Sequence, residues 1–198
     1  TEKQKDLGRV LVDELLALGL EDAHMDEHGN IYATLAANTD KDVPVICFCS
    51  HMDTAPDFTG TNVKPNVVRN YQGGDIQLTG DTSRVIKVSE HQELKHQIGH
   101  DIVTTDGTTL LGADDKAGIV EIMTAAATLI ANPEIRHGTI RILFTTDEEI
   151  GRGADKVDIA KLGAACGYTL DGSTIGEIDD ETFSADGVEI EITGVAQH

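Results

Sequence analysis

Four short stretches of this 198-residue sequence combine histidine and carboxylates in a way that could hold divalent cations. They are Ser50-His51-Met52-Asp53, Gly112-Ala113-Asp114-Asp115-Lys116, Thr145-Thr146-Asp147-Glu148-Glu149 and Leu170-Asp171-Gly172. Each has an ordinary explanation by itself. Asp114 or Asp115 could be an N-cap set against a helix dipole, Asp171-Gly172 a turn, and Asp147 to Glu149 a solvated acidic loop. Their placement favours a joint role, because three follow apolar runs and the fourth precedes a helical pattern. In an open α/β sheet such loops converge on one rim, outside the carboxyl ends of the strands. Gathered there, His51, Asp53, Asp114, Glu148, Glu149 and Asp171 would bring five carboxylates together. Each like pair at about 4 Å costs about 4 kcal/mol at an effective dielectric near 20. A bare cluster would repel itself or take up protons. Divalent cations remove the repulsion, and imidazole with carboxylate suits Zn2+, Co2+ or Mn2+ better than Ca2+, which prefers oxygen alone. One carboxylate can bridge two ions about 3.5 to 4 Å apart, and a water shared between them is acidified toward a pKa of about 7, giving a hydroxide nucleophile. A further carboxylate that is not a ligand is then needed to take the water's proton and deliver it to a leaving amine. The adjacent Glu148 and Glu149 could divide these roles.

The elements that must position these loops are legible from periodicity. Lys3 to Leu18 sets Leu7, Val10, Leu11, Leu15 and Leu18 at near-helical spacing before Gly19, which predicts an amphipathic helix. Asp22 to Leu35, broken by His28-Gly29-Asn30, predicts a hairpin. The continuous apolar runs Val45 to Cys49 and Ile140 to Phe144 predict strands covered on both faces, and Cys166 to Leu170 a third. Ala117 to Ala131 presents Ile119, Ile122, Met123, Ala126, Leu129 and Ile130 on one helical face until Asn132-Pro133 ends it. A short helix is expected over Ala154 to Leu162. Thr54 to His100 is rich in Gly, Asn, Asp and Thr, and loops with small hairpins are expected there. Val188, Ile190 and Ile192 alternate with polar residues as in a half-exposed strand. Strands and helices alternate, which predicts an α/β fold with a mostly parallel sheet flanked by helices and joined by right-handed crossovers.

Composition excludes several classes of function. Apolar residues make up 39% and charged residues 25%, so collagen-like, low-complexity and wholly disordered chains are ruled out. Fifteen Lys and Arg stand against 35 Asp and Glu, a formal charge of -20. Such a field repels phosphate backbones and anionic lipids, so neither nucleic acid nor membrane is expected as a partner. No apolar run approaches the roughly 20 residues of a spanning helix, and a soluble, cytoplasmic protein is expected. The chain opens at Thr1, which leaves residues upstream, a removed leader included, an open matter. Three cysteines do not make a disulfide scaffold, and Cys47 and Cys49 are expected to share one strand face as small buried hydrophobes. His91, His96 and His100 lack helical context for a metal site, and His24, His28 and His137 flank turn signals. Gly151-Arg152-Gly153 lacks the Lys-Ser/Thr tail of a phosphate loop.

Taken together, these motifs resemble the co-catalytic zinc exopeptidase family. The resemblance rests on His51-Met52-Asp53-Thr54, Asn70-Tyr71-Gln72-Gly73-Gly74-Asp75-Ile76, Thr104-Thr105-Asp106-Gly107, Leu110 to Gly118, Asp147-Glu148-Glu149-Ile150-Gly151 and Tyr168-Thr169-Leu170-Asp171-Gly172. Tyr71 to Ile76 and Leu110 to Gly118 resemble the branch that cleaves tripeptides. The resemblance implies an aminopeptidase that releases the N-terminal residue of short peptides with two Zn2+ per complete site, Co2+ or Mn2+ being possible substitutes. It implies His51, Asp114 and Asp171 on one zinc, with Asp114 bridging to a second that Glu149 also binds. Glu148 would be the general base, Asp53 would orient the His51 imidazole, and the Asp114–Asp115 peptide would be cis. It further implies a catalytic zinc-binding domain over 1–184, incomplete here, and the beginning of a smaller lid and dimerisation domain over 185–198. A homodimer through that lid and a substrate-reaching His198 belong to the same implication, and a further histidine for the second zinc lies outside this sequence. Two alternatives stay open: another amide hydrolase of the same family, a dipeptidase or N-acyl amino acid deacylase, and a non-catalytic acidic module that only binds divalent cations.

Overall fold

The structure is a computed structural model that describes residues 2–172, 174, 176–181 and 187–194. Helix α1 (Gln4–Ala17) forms over the predicted apolar stripe and buries Leu11 and Leu15. It stops at Gly19, whose φ of +94° is a left-handed conformation that glycine adopts freely. Strands β1 (His24–Met25) and β2 (Ile31–Leu35) form the predicted hairpin, paired His24 to Tyr32. Its turn is held by the Asp26 carboxylate, which accepts the N–H groups of His28 and Asn30 at 2.9 Å each. Strand β3 (Ile46–His51) follows, then four short strands, β4 (Asn66–Val68), β5 (Ile76–Gln77), β6 (Val85–Ile86) and β7 (Ile102–Thr104). The rest comprises α2 (Ala113–Ala131), β8 (Ile140–Thr145), α3 (Ile159–Leu162) and β9 (Cys166–Thr169).

The main sheet has five strands in the order β1-β2-β8-β3-β9. β3 runs parallel to both β8 and β9, as predicted, whereas β2 meets β8 antiparallel, so the sheet is mixed. The cause is the connection after β2. Residues 36–45 contain no helix or strand, and a parallel return needs a crossover of a dozen residues or more.

Both faces of β3 are covered, which explains its unbroken apolar run. On one face α1 and α2 contribute Leu11, Leu15, Ile119, Ile122 and Ala126 to a core with Ile31, Ala33, Ile142 and Phe144, and Ile46 and Phe48 of β3 pack against it. Each of the Leu, Ile and Phe side chains here, fully buried, contributes about 1.5–3 kcal/mol. On the other face Tyr32, Cys47 and Leu143 form a smaller cluster with Cys49, Val157 and Leu162. Cys47 and Cys49 do share that face, all three cysteines are free, and burial pushes the two thiols up to about 11 and about 12 respectively.

Several expectations change. The predicted helix over 154–162 shrinks to the four residues of α3, started by the Asp158 side chain, which accepts the Lys161 N–H at 2.9 Å. β9 is an exposed edge strand rather than a covered one. Residues 187–194 form no strand; Val188, Ile190 and Ile192 are 80%, 77% and 89% exposed, and their alternation finds no partner strand among the described residues. In the irregular middle β5 pairs with β6 as a small local ladder, as expected, whereas β4 pairs with β7, which lies beyond the end of the predicted region. There Tyr71 is buried and its hydroxyl donates to the Gly74 carbonyl, closing a turn through left-handed Gly73 and Gly74. Among the described residues no helix is long and apolar enough to cross a membrane. His198 and the 184/185 boundary fall outside the described residues.

Candidate metal centre

Three parallel strands end side by side. In register, His51 of β3 lies opposite Thr145 of β8, and Cys49 opposite Thr169 of β9, so the loops after 51, 145 and 169 leave from one rim. Helix α2 brings the fourth loop there. Its assigned range begins at Ala113, yet Asp114 (φ -77°, ψ 114°) and Asp115 (φ -113°, ψ 35°) are not helical, and the regular turns start at Lys116. The Asp114–Asp115 peptide is cis. Gly112, at φ +78°, turns the chain into this segment.

The side chains converge on His51, which is 3% exposed. Its Nε2 lies 2.9 Å from Asp114 Oδ1, 3.6 Å from Asp171 Oδ2 and 3.7 Å from Glu148 Oε2. Its Nδ1 lies 3.2 Å from the Asp53 carbonyl oxygen and 3.4 Å from Asp53 Oδ1. Glu149 joins from the loop after β8: ligand atoms of His51, Asp114 and Glu149 all lie within 4.8 Å of one another, and so do those of His51, Asp115 and Asp171. The structure thus brings together His51, Asp53, Asp114, Glu148, Glu149 and Asp171. His24, His28, His91, His96, His100 and His137 join neither donor group.

Asp53 links two of the loops. Buried at 4% exposure, its carboxylate accepts the backbone N–H groups of Glu148 at 3.1 Å and Glu149 at 3.0 Å, while its main-chain carbonyl faces the imidazole. Asp147, at φ +64°, turns the chain into the short 3-10 segment Glu148–Ile150 that carries both glutamates.

Three residues of the centre escaped the sequence reading. Asp115, expected at most as a cap, is 3% exposed and braces the site. Its carboxylate accepts Ser50 Oγ at 2.5 Å, the His51 N–H at 3.3 Å and the Gly118 N–H at 3.2 Å. Ser50 Oγ also lies 2.7 Å from the Asp115 carbonyl. Lys116 Nζ donates to the Met52 carbonyl at 3.1 Å. A glycine inside a predicted helix, Gly118, was the available signal, since such a residue marks close backbone approach.

Electrostatics follow the geometry. Burial alone would lower the His51 pKa, but the carboxylates of Asp171, Asp53 and Asp114 outweigh it and hold the imidazole above its usual range. Burial, then repulsion from Asp115 and Asp114, pushes Asp171 up to about 6. Burial lowers Lys116 against the pull of Asp53, Asp114, Asp115 and Glu149. With Nδ1 turned to Asp53, the Nε2 position faces carboxylate oxygens only. A cation must sit between them, a proton or a metal ion. One imidazole with several carboxylates is a donor set that fits zinc-like ions.

Comparison with known proteins gives concordant matches. Residues 102–191 match the model of peptidase family M20/M25/M40. The chain is similar to the Peptidase T of Geobacillus kaustophilus strain HTA426, 54% identical over 198 residues, which is 100% of this chain and 48% of that protein. Among solved structures it resembles the aminopeptidase PepT of Bacillus cereus ATCC 10987, at 31% identity and a TM-score of 0.60 over 84% of this chain and 37% of that one. It also resembles a tripeptidase of Staphylococcus aureus subsp. aureus mu50, at 29% identity and a TM-score of 0.59 over the same shares. The chain spans about half the length of the curated relatives it matches, 48% for the Geobacillus protein.

Proposed function

From the match of residues 102–191 to peptidase family M20/M25/M40 and the 54% identity to a Peptidase T, we propose that the protein carrying this chain belongs to that family and is a metal-dependent aminopeptidase that removes the N-terminal residue from short peptides. Tripeptides are the favoured substrate class, carried over from relatives named Peptidase T and tripeptidase. The observation that carries the reading is His51 Nε2, buried and surrounded by Asp114, Asp171 and Glu148 within 3.7 Å. That arrangement calls for a cation, and the donors fit one.

In this reading His51, Asp114 and Asp171 would hold one ion, and Asp114 with Glu149 would hold a second, completed by a histidine from another part of the protein. When bound, a pair of Zn2+ ions, with Co2+ or Mn2+ as substitutes, acidifies a water and polarises the scissile carbonyl. The remaining work falls to the protein. Glu148, 52% exposed at the side chain and free of hydrogen-bonded commitments to the imidazole at 3.7 Å, takes the proton from the water and hands it to the departing amine. Asp53 fixes the imidazole from the Nδ1 side and holds the Glu148 and Glu149 amides, which keeps the base beside the ligands. Residues 1–184 are assigned to the catalytic domain and 185–198 to the start of a lid, where His198 would reach the substrate and a second subunit would dock. The acidic charge of -20 suits a cytoplasmic enzyme with neither nucleic-acid nor membrane partners.

The test is hydrolysis of tripeptides by the full-length protein with and without a chelator, with dipeptides and N-acylated amino acids as controls. Chelator-sensitive tripeptide cleavage is the expected result. Preference for dipeptides or acylated amino acids would move the enzyme to a sister specificity, and metal binding without hydrolysis of any of them would leave a cation-binding module.

A further inference from the structure

Consecutive residues on two elements meet rung by rung beside the centre. Asp114 faces His51 at 2.9 Å, the Asp115 carboxylate takes Ser50 Oγ at 2.5 Å and the His51 N–H at 3.3 Å, and Lys116 Nζ reaches the Met52 carbonyl at 3.1 Å. The last rung has no counterpart in the sequence reading, and it secures the residue between the two that matter. Met52 is 2% exposed, and its own N–H donates to the Thr145 carbonyl of β8 at 2.9 Å. Its carbonyl belongs to the peptide that leads into Asp53. One side of this peptide is therefore the exit of β3 that aims the His51 ring. The other side is the residue whose carboxylate holds the Glu148 and Glu149 amides.

We infer that Lys116 is a positioning residue of the metal centre: by holding the Met52 carbonyl it fixes His51 and Asp53 against the turn of α2 that carries Asp114. This rests on the site being a metal centre. The ammonium that donates to the Met52 carbonyl at 3.1 Å is also the cation on which the carboxylates of Asp53, Asp114, Asp115 and Glu149 act. With the ammonium removed, this buried carbonyl loses its Lys116 donor and the peptide turns to find another. Because His51 and Asp53 are the two neighbours of Met52 in the chain, both shift. The effect on metal binding has the opposite sign to simple electrostatics. Deleting one positive charge beside four carboxylates should tighten the hold on a divalent cation, whereas losing the anchor should weaken it. Residues that orient metal ligands typically contribute 10–100-fold to metal affinity.

The experiment is calorimetric titration of the metal-free full-length protein with Zn2+, comparing the wild type, Lys116→Met and Lys116→Arg. Circular dichroism serves as the check on folding. The expected result is zinc binding about 10–100-fold weaker in Lys116→Met and recovery in Lys116→Arg, which keeps a donor for the carbonyl. Unchanged or tighter binding in Lys116→Met overturns the inference, and so does an equal loss in both variants. If Lys116→Met does not fold, Lys116→Leu, which likewise has no donor, takes its place in the same comparison. A wild type that binds no zinc would instead refute the metal-centre reading itself, so the two failures are distinguishable.

Discussion

Gly118→Ala should damage both the fold and the centre, although alanine is the better helix former by about 1 kcal/mol. Gly118 lies in the first regular turn of α2, where the helix crosses the end of β9. A Cβ built there falls well inside contact distance of the Leu170 carbonyl oxygen, 2.6 Å from Asp115 Oδ1 and 3.0 Å from Ser50 Oγ. None of these neighbours is the loose end of a flexible side chain. One is backbone, and the others belong to the brace in which Asp115 holds Ser50 and the Gly118 N–H. Relief requires a displacement on the order of 1 Å, and the residue after Leu170 is Asp171. Overpacking of this kind costs about 1–3 kcal/mol, or a fall in thermal midpoint of roughly 2–12 °C at about 2–4 °C per kcal/mol for a domain of this size. A misplacement of about 1 Å in a catalytic constellation costs on the order of 100-fold in rate. Denaturant unfolding of the metal-free protein and a zinc competition titration read the two effects separately. Should Gly118→Ala prove as stable as the wild type and bind zinc equally well, the claim that this crossing sets the position of Asp171 is wrong.

Glu148→Gln should retain both metals and lose about 10²–10⁴-fold in tripeptide turnover, measured by metal analysis alongside kinetics; near-normal turnover eliminates the assigned base. Asp114→Ala should lose metal at both positions, and retention of two ions would place the bridge elsewhere. A thiol reagent at neutral pH should label Cys166, which is exposed, and spare Cys47 and Cys49 until unfolding, because burial holds their thiols at about 11 and about 12. Asp171, held at about 6 against an ordinary value of 3.8, keeps a proton in the folded metal-free state that the unfolded chain has already released. The metal-free protein should therefore lose stability as pH rises between those values, a slope that Asp171→Asn abolishes in a pH series of melts. Zinc affinity should run the other way, falling by at least about tenfold per pH unit below about 6, because protons compete there for Asp171 and for the His51 imidazole alike.

Much of this was legible in the sequence, and the exceptions have physical causes. The runs around Cys47 and Ile142 disclosed covered strands because both faces are occupied, one by α1 and α2 and the other by the segment carrying Val157 and Leu162. Residue types disclosed the six converging side chains, since carboxylates and an imidazole after strand ends have few other reasons to gather. Periodicity cannot disclose strand partners, so the antiparallel junction of β2 with β8 is not legible in it, and the alternation at Val188 to Ile192 suggests a strand that does not form. The roles of Ser50, Asp115 and Lys116 depend on contacts between positions more than sixty apart in the chain, spaced 64 or 65 residues. No local pattern encodes such a contact.

The strand order has a consequence for how the molecule is made. β8 inserts between β2 and β3, both of which leave the ribosome long before it does. Until Ile140 to Thr145 emerge, the earlier strands have no bridge between them and must keep a slot open, with Phe48 and Ile31 unshielded. Early collapse that closed the slot would be a dead end, and the strongly acidic chain discourages it between neighbouring molecules. In the proposed reading the four loops meet only once β9 has docked beside β3, so a cation that needs donors from all of them cannot be gripped in full before that step.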